Sequence, residues 1–166
     1  MIQIREATSI DIPLIQELAQ QVFYVTYIPL QPKEKVDYLY SLMYSESSLM
    51  EQMEKKNHKF LLSNDETGHL GYAAYETNYK SQGKTKIHKI YIMPNAQGKG
   101  VGKELVNHIV GIAKQNKNTI VLLDVYRHNP AVQFYEKIGF KKVGEQITEV
   151  GNGYVMDDLV MEKPIS

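Results

Sequence analysis

The most constraining feature of the sequence is Gln97-Gly98-Lys99-Gly100-Val101-Gly102, together with what flanks it. Upstream, Lys86-Ile87-His88-Lys89-Ile90-Tyr91-Ile92-Met93-Pro94 is rich in β-branched and aromatic residues and predicts a strand that stops near Pro94. Downstream, Leu105, Val106, Ile109, Ile112 and Ala113 recur at helical spacing. The glycines therefore stand between a strand and a helix start. There the backbone N–H groups lack intrahelical partners and the helix dipole is positive. Glycine lets an anion come close to such a backbone, so a phosphate-bearing ligand is the natural occupant. Two phosphate motifs are excluded. A Walker A loop ending in Gly102-Lys103 would need glycine at Gln97 and Ser or Thr at Glu104. A G-x-G-x-x-G fingerprint would need a third glycine at Lys103 or Leu105.

The chain of 166 residues is long enough for one domain with a sizeable core, so residues 1–166 are expected to form a single domain. Lys plus Arg balance Asp plus Glu at 19 each, which offers no basic footprint for nucleic acid or an anionic membrane. The absence of cysteine rules out disulfides, a cysteine nucleophile and a thiolate metal site. No leader-like opening and no apolar run of spanning length are present, so a cytoplasmic protein is the expectation.

Taken in order, Met1–Ala7 predicts a first strand, and Thr8 or Ser9 an N-cap. Ile12, Ile15, Leu18, Ala19 and Val22 predict an amphipathic helix, and 33–53 one or two more. Phe23, Tyr24, Tyr27, Tyr38 and Tyr40 read mainly as helix core, or more sharply as an aromatic lining to a substrate cleft. Residues 58–63 and 69–77 predict strands joined by the polar loop 64–68. The run 119–125 is almost wholly apolar, as in a strand buried on both faces. A short helix over 129–138 ends at Gly139, and 140–143 and 154–161 close the chain as strands. This order gives an α+β fold.

Gln-x-x-Gly-x-Gly after a strand resembles the pyrophosphate loop of the GNAT family of N-acetyltransferases, which bind acetyl-coenzyme A. Asn129-Pro130-Ala131-Val132-Gln133-Phe134-Tyr135-Glu136-Lys137-Ile138-Gly139-Phe140 resembles that family's second hallmark. The resemblance implies a three-layer α/β/α arrangement around a mixed, mostly antiparallel sheet of about seven strands. It implies that Gln97, Gly98, Lys99, Gly100, Val101, Gly102 and Lys103 hold the pyrophosphate through their backbone. Tyr91, Ile92 and Met93 would pair with the pantetheine, and Asn129 would touch the pantetheine or diphosphate. Tyr135 would be the general acid that protonates the departing thiolate. Acetyl-coenzyme A is the implied co-substrate, with no metal. Because many members of the family dimerise, a homodimer is among the expectations.

An attacking amine must first lose its proton, since amines of this kind have an ordinary pKa of about 10.4. The family often has a Glu on the central strand where this chain has His88, whose type has an ordinary pKa of about 6.5. His88 is therefore a base, or a strand histidine with no role, with Glu76 and Tyr91 in reserve. His58, His69, His108 and His128 show no metal-ligand spacing, and surface or loop positions account for them. The acceptor is expected to be a small-molecule primary amine. Phe23-x-x-Thr26 and the Tyr/Pro loop after it resemble the polyamine-acetylating subgroup, for which Asp37, Glu46, Glu76, Glu149, Asp157 and Asp158 are available carboxylates. A peptide N-terminus, an aminoglycoside and a non-catalytic coenzyme A sensor are the alternatives.

Overall fold

A computed structural model describes residues 1–165. The strands are β1 (Gln3–Glu6), β2 (Lys59–Asp65), β3 (Gly68–Glu76), β4 (Lys84–Ile92), β5 (Ile120–Tyr126), β6 (Lys141–Gly151) and β7 (Tyr154–Pro164). The helices are α1 (Ile12–Tyr27), α2 (Lys33–Tyr44), α3 (Glu46–Glu54), α4 (Val101–Gln115) and α5 (Ala131–Lys137). The strands form one sheet in the order β1-β2-β3-β4-β5-β7-β6. Pairs β1–β2, β2–β3, β5–β7 and β6–β7 are antiparallel, and β4–β5 is parallel. The expected mixed, mostly antiparallel sheet of seven strands flanked by helices is present.

Local chemistry explains the boundaries. Thr8 accepts a hydrogen bond from Ile10 N–H, while the Asp11 carboxylate accepts one from Thr8 N–H, so the turn before α1 is capped from both sides. The 33–53 stretch resolves into two helices because Ser45 leaves helical backbone and its Oγ accepts from Ser48 N–H. Strands β6 and β7 are far longer than the hydrophobic pattern suggests. Asn152 and Gly153 both have positive φ, at 57° and 76°, and form the two-residue turn that starts the ladder at Gly151 and Tyr154. Strand β6 is almost wholly exposed, so burial left no pattern in its sequence.

By compactness the chain forms two units. One comprises Met1–Glu76 with His88–His108, the other Thr77–Ile87 with Ile109 to the end of the described chain. In the first unit Ile15, Ala19, Val36, Leu49, Tyr72, Ala73 and Leu105 are fully buried. In the second, Ile109, Ala113, Val121, Leu123 and Phe140 are buried. Each complete burial of a large apolar side chain contributes about 1.5–3 kcal/mol before chain entropy is counted.

Candidate active site

The glycine segment lies at the end of β4. Met93 N–H donates to the Leu70 carbonyl at 2.8 Å, and the Met93 carbonyl accepts from Ala96 N–H at 2.9 Å. These bonds pin the chain as it leaves the strand, and the Ala96 side chain is buried. They also mean that the Met93 backbone, expected to pair with pantetheine, is already engaged on both its N–H and its carbonyl. Gly98 and Gly100 have φ of +83° and +80°, a region that suits glycine. A side-chain carbon at either would meet no atom within 4 Å, so it is the backbone direction, not crowding, that calls for glycine. Gln97, Gly98, Lys99, Gly100 and Lys103 are exposed, while Val101 and Gly102 are buried in the first turn of α4. Glu104 N–H donates to the Gly100 carbonyl at 3.1 Å. By helix geometry the N–H groups of Val101, Gly102 and Lys103 then point out of the helix start.

Strand β4 alternates about its axis, so His88 and Lys89 face opposite ways. Parallel pairing with β5 covers only Lys84–Ile87, and His88–Ile92 lie past that register. His88 Nε2 is 3.0 Å from Glu76 Oε1 at the end of β3. His58 Nε2 is 3.7 Å from the same oxygen. The two imidazoles are stacked, with centroids 3.7 Å apart and planes inclined by 15°. The reserve candidate Glu76 thus joins His88. His58 lies in the loop just before β2, as the sequence allows, but it is largely buried, with 11% of its side chain exposed. The β2–β3 register explains this. Lys59 pairs with Tyr75, which carries the preceding His58 alongside Glu76. That register was the available signal, and periodicity within one strand does not contain it.

On the other face Lys89 is buried, and its Nζ donates to Gln52 Oε1 at 2.6 Å. The amine lies 5.5 Å from the Phe60 ring centre and 5.7 Å from that of Tyr44. Burial, aided by the charge of Lys56, pushes its pKa down to about 7.

The aromatic residues of α1 and α2 divide. Phe23 and Tyr44 are buried, and the Tyr44 hydroxyl lies 2.7 Å from that of Tyr72. Tyr24, Tyr27, Tyr38, Tyr40 and Tyr91 are half-buried. Tyr27 and Tyr91 bring their hydroxyls within 3.0 Å, so the hydroxyl of the reserve base Tyr91 meets that of Tyr27. The Tyr24 hydroxyl donates to Asp37 at 2.6 Å, and Lys33 donates to the other oxygen of that carboxylate at 2.8 Å. Lys33 first, then Tyr24, hold the Asp37 carboxyl below its usual range.

In the second unit, Asn129 Oδ1 accepts from Ala131 N–H at 2.9 Å, which fixes the entry to α5. Tyr135 is buried, with its ring edge-on to Phe134 and Phe140 at 5.4 and 5.6 Å. Helix α5 stops at Gly139, whose φ is +104°. Arg127 donates to Asp157 at 2.9 Å and pairs with Glu145 at 2.8 Å, so Asp157 has a structural partner.

A glycine-opened helix start after a strand, and a separate Asn-to-Phe helix bearing a buried tyrosine, are the two features that carry the sequence resemblance. The chain matches the acetyltransferase (GNAT) domain over residues 29–158. It belongs to the GNAT acetyltransferase family. An uncharacterized N-acetyltransferase of Methanocaldococcus jannaschii is 31% identical over an alignment of 98 residues that covers 51% of this chain and 43% of that relative's length. The chain therefore aligns with less than half of that relative. The PaiA N-acetyltransferase of Thermoplasma acidophilum, solved with coenzyme A, superposes with a TM-score of 0.81 at 24% identity, covering 99% of each chain. The ribosomal-protein-S18-alanine N-acetyltransferase of Escherichia coli superposes at 0.73 with 17% identity, over 100% of this chain and 95% of that one.

Proposed function

We propose that the protein transfers the acetyl group of acetyl-coenzyme A to a primary amine by direct attack. The observation that carries this reading is the left-handed backbone at Gly98 and Gly100, opening onto the start of α4 in a chain of the GNAT family. The backbone N–H groups of Gln97–Lys103 hold the pyrophosphate, and the space where side chains would stand at Gly98 and Gly100 suits it. Tyr91 and Ile92, past the β5 register, supply the pairing edge for the pantetheine, and the Met93 carbonyl adds its second lone pair. Asn129 contacts the same chain of atoms through its amide.

In the reaction the amine nitrogen forms a bond to the acetyl carbonyl carbon, and the carbon–sulfur bond breaks. His88 takes the proton that the nitrogen loses, oriented by its hydrogen bond to Glu76. Tyr135 gives its phenolic proton to the leaving sulfur. The products are an acetamide and a thiol. For the acceptor we propose a polyamine. The half-buried Tyr24, Tyr27 and Tyr91, with Asp37 bonded to Tyr24, suit a flexible polycation.

Thiol release across a panel of amines tests this reading, with spermidine and spermine expected to lead. Gly100→Asp should abolish coenzyme A binding by calorimetry, because it sets a carboxylate where phosphate belongs. Tyr135→Phe should keep binding and lose turnover by about 100- to 10,000-fold. A peptide N-terminus or aminoglycoside at the top of the panel would overturn the polyamine acceptor alone. Coenzyme A binding with no thiol release from any amine would overturn the enzyme in favour of a sensor.

A further inference from the structure

His58, Glu76 and His88 each offer a ligand atom, and these atoms all lie within 4.8 Å of one another. Glu76 ends β3, His88 lies in the middle of β4, and His58 immediately precedes β2, so two of the three stand on sheet backbone and the third on its threshold. Both imidazoles turn Nε2 toward one carboxylate oxygen, at 3.0 and 3.7 Å. A tetrahedral zinc ion with bonds of about 2.0–2.2 Å sets its ligand atoms about 3.3–3.5 Å apart. The two nitrogen-to-oxygen separations bracket that value, and the two nitrogens lie within 4.8 Å of each other. The donor set is two neutral-capable imidazoles and one carboxylate, which suits zinc and its borderline neighbours and not magnesium or calcium. A single carboxylate can balance one imidazolium. Stacked at 3.7 Å, two charged rings would repel, whereas two neutral rings would not.

We propose that His58, Glu76 and His88 form an inhibitory binding site for Zn²⁺. The inhibitory part rests on the reading of His88 as the proton acceptor. A bound ion takes His88 Nε2 and the Glu76 oxygen that orients the ring, and the ring's one proton moves to Nδ1, so no lone pair is left to accept another. The amine then has nowhere to send its proton, and transfer stops until the ion leaves. Zinc is a regulator in this scheme and takes no part in the acetyl transfer itself.

The test titrates Zn²⁺ into the full chain, without substrates, against a chromophoric zinc chelator. One ion per chain is expected, with affinity lowered at least about tenfold in His58→Gln and in Glu76→Gln. Turnover should be lost as zinc saturates wild type. His58→Gln should keep basal turnover and withstand the same zinc concentration. Circular dichroism of each variant checks that it folds. No binding by wild type, or equal binding by both variants, overturns the site. Binding that His58→Gln abolishes, without inhibition of wild type, overturns the inhibitory part. If His88→Ala then also leaves turnover unchanged, the fault lies in the assignment of His88 and not in the zinc site.

Discussion

His88 and Lys89 are neighbours in sequence and opposites in surroundings. His88 faces a carboxylate and a second imidazole, and part of its side chain remains in reach of solvent. Lys89 faces Gln52 and two aromatic rings and is sealed from water. Both are basic groups on one strand, yet only the first has the access that proton transfer needs. Lys89 holds an amine whose pKa burial has brought down to about 7. A near-neutral amine looks like a general base by titration alone. Its surroundings decide against it, because Gln52 accepts from the amine and the Phe60 and Tyr44 rings lie beside it. The comparison teaches that a shifted pKa marks a functional group only where geometry also provides access.

The largest expected effect separates the two faces by chemistry. His88→Ala should lower turnover by about 100- to 10,000-fold, the usual range for a lost general base. Its thermal midpoint should fall as well, since the ring is mostly buried, bonded to Glu76 and stacked on His58, so turnover is compared per folded molecule. Steady-state thiol release and a thermal melt on the same sample check both halves. Full turnover in His88→Ala would leave β4 with no catalytic face and remove the contrast.

A smaller effect is expected on the sealed face. Gln52→Leu removes the acceptor of the Lys89 amine and leaves a buried donor without that bond. The cost should be about 1–3 kcal/mol in urea unfolding. Turnover per folded molecule should be unchanged. A variant that loses activity while keeping its stability would show that the Lys89 face takes part in function after all.

How much of this was legible depends on how local each cause is. The glycine segment and His88 were readable because strand, loop and helix start are contiguous in sequence. The Ser45 break in 33–53 was open in the sequence, and one side-chain cap closed it. The loop position of His58 is legible but its burial beside Glu76 is not, because Glu76 lies 18 positions on and only the hairpin register brings them together. The length of β6 was missed for another reason. Its side chains are exposed and carry no alternation, and the Asn152-Gly153 turn was the one signal present. The sealing of Lys89 had no local signal. It depends on Gln52 from α3, Phe60 from β2 and Tyr44 from α2, three elements whose convergence is tertiary.

The smallest effect tests where the sealed face ends. Tyr91 lies two residues past Lys89 and shares its side of β4, but it is only half-buried. Its hydroxyl meets that of Tyr27 at 3.0 Å, where either oxygen can donate. A hydroxyl pair of this kind contributes about 0.5–1.5 kcal/mol, and partial solvation favours the lower end. Tyr27→Phe, Tyr91→Phe and the double variant form a cycle that isolates the pair from each ring's packing. A coupling of about 0.5 kcal/mol is expected, well below the cost of Gln52→Leu. If the coupling equals that cost, the sealed environment of Lys89 extends along the strand to Tyr91. If it vanishes, the two hydroxyls are solvated independently, and the face opens to water within two residues of the buried amine.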